Sequence, residues 1–380
     1  MAKHTLFYAV VLPGLEQLAA AELEALSAHD IEIEHGGVSF SGTTQLMYRV
    51  NLRSRVITRV LMRLRSFRNM TLEGLGFEID KIAWHLFLNE SSKVNVSVST
   101  KHSRLNHSED IADYVSLILK KAMPKIGTSN SALFEQSIHI RIENNRGTIS
   151  LDTSGERLDR RGYRLESGKA PMRETLAAAM ISWSGWQPEQ TLLVPMCGSG
   201  TLAIEAGLVA KQQAPNLNHD FACLHWHNFK AKDFEKVVER CMGMLKNEAP
   251  KTANIFASDI NAGGVSITQN NAQRADVTAW MDTTVLDVHN LVKPDSPTGG
   301  VVLLNPPYAQ RIGETASTVS LWSDLGQIMR QQFLSDPAWK VVVICPEQSF
   351  EKAMACKVSR RLKVTHGGES VYLLELASIN

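Results

Sequence analysis

A short motif late in the chain has the residue types needed to bind the exocyclic amino group of a nucleobase through hydrogen bonds. Asn305-Pro306-Pro307-Tyr308 follows the apolar run 301–304, which predicts a buried strand that ends in a rigid turn. The Asn305 side-chain carbonyl and the Pro306 backbone carbonyl could accept hydrogen bonds from both N–H groups of an aryl amine, exposing the nitrogen lone pair. Because proline has a fixed φ, these acceptors would be preorganised, and Tyr308 could stack on a flipped base. The simpler alternative is an ordinary Asn-Pro turn.

A second motif, upstream of the first, has the local design of a nucleotide-cofactor loop. An apolar strand over 191–194 runs into a Gly-x-Gly turn, where the missing side chains would let a ligand approach the backbone. The helix that follows would offer free N–H groups and a positive dipole end. A lone Gly-x-Gly is a weak signal, since glycines used only for packing give the same pattern. The predicted cofactor contacts in this segment are Pro195, Cys197, Gly198, Ser199, Gly200 and Thr201.

An acid at the end of the next predicted strand could complete this site. Asp259 follows the strand 255–258, and a carboxylate there can accept hydrogen bonds from both ribose hydroxyls of an adenosyl group. Ile260 is predicted to contact the same cofactor. The spacing from Gly198 to Ala203 also fits a dinucleotide fingerprint with Asp220 as its acid, but Asp220 lies in a loop-like segment. A plain helix cap is the alternative role for Asp259.

A third acid is a weaker candidate for the same site. Asp287 follows the predicted strand 283–286, where its carboxylate or backbone amide could reach an adenine edge. Asp282 competes for this role, and a surface carboxylate without a ligand explains Asp287 equally well. An adenosyl-cofactor loop together with an amine-gripping turn predicts methyl transfer from S-adenosylmethionine to a base nitrogen. No strong general base is needed, because the proton is lost once the nitrogen is methylated. Most of the rate should come from in-line positioning of the amine, the methyl group and the sulfonium.

These motifs need a sheet that brings the ends of several strands together. From about residue 190 the pattern alternates between strands and helices, with helices predicted over 201–211 and 265–274. Such alternation predicts a parallel sheet covered by helices on both faces, and therefore an α/β fold. The predicted strands lie near 191–194, 254–258, 283–286, 301–304, 339–345 and 370–376.

The first half of the chain predicts smaller α+β units. Its opening segment indicates a strand, a helix, two short strands and a second helix that begins near Thr43 or Thr44 and continues through Arg65. Residues 152–169 are polar and basic and are interpreted as a linker. Further elements are predicted as a strand over 94–98, a helix over 108–121, a hairpin across 144–147 and a helix over 174–183.

The charge pattern permits a local nucleic-acid surface but not a globally basic one. Formal net charge is only +1 over 380 residues, so any basic surface must be local. Basic residues concentrate in the N-terminal half, where they could follow phosphates. A solvated helix face with acidic neighbours explains any single residue equally well. The predicted RNA contacts are Arg53, Lys101, Arg104, Arg161 and Arg164.

Cysteine and histidine usage indicates neither disulfides nor a metal site. The five cysteines are odd in number and form no C-x-x-C pair, which favours reduced thiols. His225 and His227 flank Trp226, but no third ligand lies at metal spacing, so no metal is expected. No stretch approaches the ~18 apolar residues of a membrane helix. The N-terminus lacks an apolar leader, so a cytoplasmic protein without a membrane partner is expected.

Segments spread over nearly the whole chain carry a family resemblance. They are Gly36-Gly37-Val38-x-Phe40, Lys101 to His107, Asp152 to Glu156, Arg161 to Arg164, Ala170 to Ala177, Ala214-Pro215, Phe221-Ala222, Asn305 to Tyr308 and Arg311 to Glu314. Together they make the chain similar to the bacterial THUMP-containing RNA methyltransferases. In particular it resembles the guanine-N2 methyltransferases of large-subunit ribosomal RNA. Members of this family were long labelled N6-adenine-specific DNA methylases because of the Asn-Pro-Pro-Tyr motif.

The resemblance implies a domain order as well as an activity. It implies a Rossmann-like class I methyltransferase domain over 190–380, with a mixed seven-stranded sheet in the order 3-2-1-4-5-7-6. Before it would come a ferredoxin-like domain over 1–65, a THUMP RNA-binding domain over 66–155, and a linker with a leading helix over 156–189. S-adenosylmethionine is the implied cofactor and ribosomal RNA the implied partner, for a monomer or a homodimer.

A few positions depart from the family pattern and leave alternatives open. The departures are Val194 in place of an aspartate, Asn261 in place of a second acid, and Asn216 with His219 in place of a glycine and an arginine. The missing aspartate commonly helps to hold the cofactor's amino group. Val194 therefore leaves open an RNA-binding assembly protein with a decayed catalytic site. Adenine N6 in RNA or DNA is the alternative with the same chemistry, because the motif does not separate aryl amines.

Overall fold

The computed structural model describes residues 4–68, 70–129, 133–166, 172–246, 248, 254–307, 315–366 and 368–379. The chain divides into two compact units. The first unit comprises residues 1–11, 19–158 and 216–240, and the second unit comprises residues 12–18, 159–215 and 241–380. Each unit is built around its own seven-stranded sheet.

The first unit opens with a ferredoxin-like arrangement. Its elements are β1 (Thr5–Val10), most of α1 (Glu16–Ala25), β2 (His29–Glu34), β3 (Gly37–Gly42), α2 (Thr44–Arg53) and β4 (Arg59–Phe67). The four strands pair in the order β2-β3-β1-β4, which is the βαββαβ pattern of that fold. Phe7 and Phe40 stack in its core at 5.3 Å between ring centroids, and both are almost fully buried.

The same sheet continues beyond these four strands. The further elements are α3 (Leu72–Asp80), β5 (Ser92–Lys101), α4 (Ser108–Ala122), β6 (Phe134–Glu143) and β7 (Arg146–Asp152). The predicted hairpin is confirmed, with Glu143 opposite Arg146, and β7 pairs with β4 to extend the sheet. The expected boundary at residue 65 therefore falls inside strand β4. The THUMP assignment of 66–155 stays a prediction.

The helix expected to run through Arg65 is wrong. Helix α2 ends at Arg53, where the Ser54 N–H donates to the Val50 carbonyl, and strand β4 begins at Arg59. The intervening residues 56–58 are Val-Ile-Thr, and such β-branched side chains favour extended backbone. The spacing of the arginines in this segment resembles one face of a helix, which led to the wrong prediction.

The second unit is a doubly wound α/β domain. Its strands are β8 (Thr191–Pro195), β9 (Ile255–Asp259), β10 (Met281–Val285), β11 (Gly300–Leu304), β12 (Trp339–Cys345), β13 (Val358–His366) and β14 (Glu369–Leu376). They pair in the order β10-β9-β8-β11-β12-β14-β13. Strand β14 is antiparallel to both its neighbours, and the remaining pairs are parallel. This confirms the expected order 3-2-1-4-5-7-6.

Helices cover this second sheet. They are α5 (Glu174–Ser184), α6 (Thr201–Ala210), α8 (Ala262–Arg274), α9 (Thr315–Gln332) and α10 (Gln348–Met354); α7 (Ala231–Met242) lies mostly in the first unit. Strand β13 was not predicted from the residue pattern, because four of its nine residues are Arg, Lys or His. Charged residues are a common feature of edge strands. Within the described residues, no helix is long and apolar enough to cross a membrane.

Residues 216–240 were expected in the methyltransferase domain, but they pack into the first unit. The Asn216 amide donates to the Asn51 carbonyl at 2.8 Å, and the Trp226 indole donates to Gln136 Oε1 at 2.9 Å. The Cys223 N–H donates to the Thr153 carbonyl at 3.1 Å. These contacts join positions far apart in the chain, so no local pattern signals them.

Candidate active site

The carboxyl ends of β8, β9, β10 and β11 surround a cleft of about 710 Å³ in the second unit. Strand order reverses between β8 and β11, and ligands of doubly wound sheets bind at such switch points. Two predicted cofactor contacts, Pro195 and Gly200, are not among the residues that line the cleft. The predicted residues that do line it are Cys197, Gly198, Ser199, Thr201, Asp259, Ile260, Asp287, Asn305, Pro306 and Pro307.

The loop between β8 and α6 depends on left-handed backbone. Met196, Gly198 and Gly200 have φ of +58°, +57° and +82°. A Cβ on Gly200 would lie 2.5 Å from Thr268 Cγ2, so this glycine is needed for packing against α8. A Cβ on Gly198 would meet nothing within 4 Å. Gly198 therefore leaves open space on the cleft side of the loop, as a close backbone approach by a ligand requires.

A carboxylate fastens this loop to the neighbouring strand. Asp259 is half-buried; its Oδ2 accepts from the Gly198 N–H and its Oδ1 accepts from the Asn261 N–H, both at 2.9 Å. Each carboxylate oxygen has two lone pairs, so Asp259 keeps acceptor capacity towards the cleft. The Ile260 side chain lines the cleft and is 67% exposed. Asn261 caps α8 through the Gly263 N–H, a role that asparagine performs well.

A histidine that sequence reasoning missed lies beside Asp287. Asp287 Oδ1 accepts from the His289 N–H at 3.0 Å and lies 2.7 Å from His289 Nδ1. His289 Nε2 lies 3.2 Å from Asp324 Oδ2 on α9. Hydrogen bonds to the two carboxylates raise the pKa of His289, and hydrogen bonds from His289 lower the pKa of Asp287. The Asp-x-His spacing was the available signal, but Asp324 is remote in sequence. The competing acid, Asp282, lines a separate pocket.

The turn Asn305-Pro306-Pro307, predicted to bind the target amine, follows β11 and lines the same cleft. Asn305 and Pro307 are half-buried and Pro306 is buried. The Pro307 carbonyl accepts a hydrogen bond of 3.1 Å from the indole N–H of Trp322. Within the described part of the chain, the Asn305 side chain has no hydrogen-bond partner. Tyr308 lies outside the described residues.

Val194 and Pro195 lie apart from the other predicted contacts. Val194 is 1% exposed within β8, opposite Ala257 of β9, and does not line the cleft. Pro195 lines the separate pocket of about 340 Å³ that also contains Asp282. Val194 therefore forms no part of the described walls of the cleft.

The structure contradicts the predicted RNA contacts Arg161 and Arg164. Arg161 is 1% exposed in its side chain and pairs with Glu205 at 3.5 Å. Arg164 pairs with Glu174 at 2.9 Å and donates to the Met172 carbonyl at 2.6 Å. Burial raises the pKa of Glu174 to about 7, against the opposing effect of Arg164. Both arginines thus have acidic partners within the second unit, and the segment expected as a polar linker contains the buried residues Asp159 and Tyr163.

The remaining predicted RNA contacts are in the first unit. The Lys101 side chain is 65% exposed and lies 3.7 Å from Glu143. Arg104 is exposed, and its N–H donates to Asn145 Oδ1 at 2.9 Å, which fastens its loop to the β6–β7 turn. Arg53 is half-buried in the last turn of α2. Lys101 and Arg104 are thus accessible, and their contact with RNA stays a prediction.

The alternative of a dinucleotide-binding fingerprint requires Asp220 as its acid, and Asp220 does not line the cleft. Asp220 lies in the first unit, where its Oδ1 is 2.7 Å from His225 Nε2. The His225 ring stacks on Phe134 at 3.6 Å between centroids, so this histidine has a structural role. All five cysteines are free thiols.

Comparisons with known proteins agree with this geometry. Residues 161–374 match the family model described as UPF0020, RMKL-like methyltransferase domain, and residues 6–61 match the RlmL ferredoxin-like domain. A candidate RNA methyltransferase of Synechocystis is 31% identical over 374 residues, which cover 97% of this chain and 96% of the relative.

A longer relative and a solved structure show the same similarity. The ribosomal RNA large subunit methyltransferase K/L of Photobacterium profundum is 31% identical over 342 residues. These cover 87% of this chain and 48% of the relative, so the chain spans about half the length of that protein. The crystal structure of a predicted N6-adenine-specific DNA methylase from Listeria monocytogenes has a TM-score of 0.87 and 26% identity, covering 98% of this chain and 96% of that one.

Proposed function

We propose that this chain, which belongs to the RMKL-like methyltransferase family, is an S-adenosylmethionine-dependent RNA methyltransferase that modifies N2 of guanine in large-subunit ribosomal RNA. One observation carries the proposal. The loop fastened by Asp259 and the turn Asn305-Pro306-Pro307 line the same cleft. A cofactor loop and an amine-gripping turn are the two parts that methyl transfer to a base nitrogen requires. The names of the two curated relatives support RNA, and specifically ribosomal RNA, as the substrate.

The residues of the cleft fit S-adenosylmethionine. Gly198 leaves open space, Asp259 retains acceptor capacity for ribose hydroxyls, and exposed Ile260 offers an apolar surface to an adenine ring. The start of α6 adds N–H groups and a positive dipole end suited to a carboxylate. Bound here, the cofactor supplies an electrophilic methyl group on a sulfonium. The proposed contacts are Cys197, Gly198, Ser199, Thr201, Asp259, Ile260 and Asp287, with Gly200 shaping the loop.

The turn after β11 would hold and orient the target amine. Asn305 Oδ1 and the Pro306 carbonyl accept its two N–H groups, which draws the nitrogen lone pair out of conjugation. The Asn305 side chain has no competing partner among the described residues, so its carbonyl is available. The proton leaves to solvent, and the site needs no strong base. Tyr308 remains the proposed stacking partner of the base.

The proposal also covers how the protein binds RNA and where in the cell it acts. Exposed Lys101 and Arg104 of the first unit would contact the RNA backbone, and residues 66–155 would act as a THUMP domain. A cytoplasmic location is part of the proposal, because it is where a protein that modifies bacterial ribosomal RNA would meet its substrate. The decayed-enzyme alternative is less well supported, because Val194 does not line the cleft and the Gly198–Asp259 hydrogen bond is present.

Nucleoside mass spectrometry tests the proposal. Ribosomal RNA from cells with and without the gene is digested and compared, and purified protein is then incubated with the unmodified RNA and S-adenosylmethionine. We expect one N2-methylguanosine to disappear without the gene and to reappear in vitro. Loss of N6-methyladenosine instead would make adenine the substrate. Identical nucleosides in both strains, with no transfer in vitro, would favour the decayed-enzyme alternative.

A further inference from the structure

The turn that presents Asn305 has an anchor outside its own backbone. Pro306 and Pro307 lack N–H groups, so neither can donate a backbone hydrogen bond to hold the turn in place. Among the described residues, a hydrogen bond from α9 holds it: the indole N–H of Trp322 donates to the Pro307 carbonyl at 3.1 Å. This contact joins the turn after β11 to α9, the next helix along the chain.

The donor itself is held rigidly. Trp322 is 0% exposed, and its ring packs against Phe350 at 5.0 Å between centroids. Both rings belong to the core cluster that also contains Val302 and Leu304 of β11. A side chain packed at interior density has few alternative rotamers, so the direction of its N–H is set by the core. The strand and the donor that fix the two ends of the turn therefore rest in one packed cluster.

We infer that Trp322 is a positioning residue for the methyl acceptor. By holding the Pro307 carbonyl, its indole N–H sets the orientation of the adjoining peptide and so aims the Pro306 carbonyl and the Asn305 side chain into the cleft. The hydrogen bond also occupies the Pro307 oxygen, which leaves the two proposed acceptors to bind the amine. This inference rests on the proposed function of the turn.

Loss of the Trp322 hydrogen bond should lower the rate of methyl transfer and not the affinity for the cofactor. The fixed acceptors stabilise the transition state, in which the amine nitrogen rehybridises. A more mobile turn would align the amine less well with the methyl group, while the cofactor would still bind. A misplacement of about 1 Å at a reacting centre can cost roughly 100-fold in rate. The cofactor loop is carried by β8 and β9, whereas Trp322 contacts the turn after β11, so cofactor affinity should be spared.

The test removes the indole N–H while keeping the ring. Trp322→Phe is compared with site-specific replacement of Trp322 by benzothienylalanine, an isostere of tryptophan that lacks the N–H. Trp186 is the matched control, because its indole N–H also donates to a backbone carbonyl, that of Gln190 at 3.0 Å, and it is 4% exposed. Neither Trp186 nor Gln190 lines the cleft. The same two replacements are made there.

Three quantities are measured for each protein: the single-turnover methylation rate, the Kd for S-adenosylmethionine and the thermal midpoint. For Trp322 we expect a rate roughly 10- to 100-fold lower with an unchanged Kd, and for Trp186 an unchanged rate. The isostere should reproduce the loss even if phenylalanine at position 322 prevents folding.

The outcomes separate this inference from the proposed function. A Trp322 isostere that methylates at the wild-type rate would overturn the inference, as would equal losses at Trp186 and Trp322. If the wild-type protein methylates adenine instead of guanine, the same comparison applies on that base. A wild-type protein that transfers no methyl group to any base would overturn the proposed function and this inference with it.

Discussion

The backbone N–H of Gly198 donates a 2.9 Å hydrogen bond to the carboxylate of Asp259, joining the loop after β8 to the end of β9. The other oxygen of the same carboxylate accepts from the Asn261 N–H, which leads into the cap of α8. One side chain thus braces the loop and the start of the next helix. It can do so and still face the cleft, because a carboxylate has more lone pairs than these two bonds use.

Asp259→Asn tests this double role. The new amide group must place an NH2 against either the Gly198 N–H or the Asn261 N–H, so one donor loses its acceptor. We expect a stability loss of about 1–3 kcal/mol and cofactor binding weakened at least roughly tenfold. Calorimetry with S-adenosylmethionine and chemical denaturation measure the two effects. Asp282→Asn, on an exposed acid outside the cleft, is the control and should change neither.

Val194→Asp restores the aspartate that the family usually has at this position and tests whether cofactor binding depends on it. Since Val194 is 1% exposed and does not line the cleft, the wild-type protein should bind S-adenosylmethionine. A carboxylate at this position would be buried without a partner, and we expect a loss of about 3–5 kcal/mol in stability. Val194→Thr, which has a similar shape without charge, should be much milder. Tighter cofactor binding by the aspartate variant would show that the missing acid matters and that this expectation is mistaken.

Asn305 is expected to act on the rate and not on cofactor binding. Asn305→Ala removes one preorganised acceptor, which should lower the single-turnover rate by about 10²–10³, or about 3–4 kcal/mol. Asn305→Asp keeps an acceptor of the same shape and should retain more activity than alanine. Rapid-quench methylation and cofactor calorimetry are the measurements. An alanine variant that methylates at the wild-type rate would reduce the motif to a turn that closes β11.

Lys101 and Arg104 should carry part of the electrostatic affinity for RNA. Replacing both by alanine should weaken RNA binding and lower the dependence of log Kd on log salt by about 1 for each phosphate that is no longer neutralised. The control pair is Lys93→Ala with Lys125→Ala, whose side chains are 64% and 82% exposed in the same unit. Equal effects of the two pairs on the salt dependence would refute this placement of the RNA-binding surface.

His139 should make the protein less stable in mild acid. Burial, together with the nearby Arg59 guanidinium, lowers the pKa of His139 to about 4, and its Nε2 has no partner among the described residues. The unfolded chain therefore binds a proton between pH 6.5 and 4 that the folded chain does not, and stability falls as pH decreases through that range.

The expected loss from this residue is at most about 3 kcal/mol between those limits. His139→Phe should flatten the decline of unfolding free energy between pH 7 and pH 4, as measured by denaturation at several pH values. His35→Gln, on an exposed histidine of the same unit, serves as the control. A decline that is as steep in His139→Phe as in the wild type would assign the acid sensitivity to other groups.

Local strand and turn patterns identified the parts of the site that lie at strand ends. Gly198, Asp259 and Asn305 each follow an apolar run, and parallel strands bring such positions to one edge of a sheet. The same local reasoning misassigned the segment before Arg65, because regularly spaced arginines imitate a helix while β-branched residues favour a strand. Pro195, although next to the glycines, lines another pocket.

By itself, the sequence determined the α/β class of the second unit and the positions of the Gly-x-Gly loop and the Asn-Pro-Pro turn at strand ends, since each depends on contiguous residues. Only the tertiary structure decided which charges are accessible: Arg161 is buried against Glu205, whereas Lys101 is exposed. It alone brought Trp322 to the Pro307 carbonyl. The physical reason is that burial and hydrogen-bond partners depend on how the elements pack in three dimensions, which a local residue pattern does not specify.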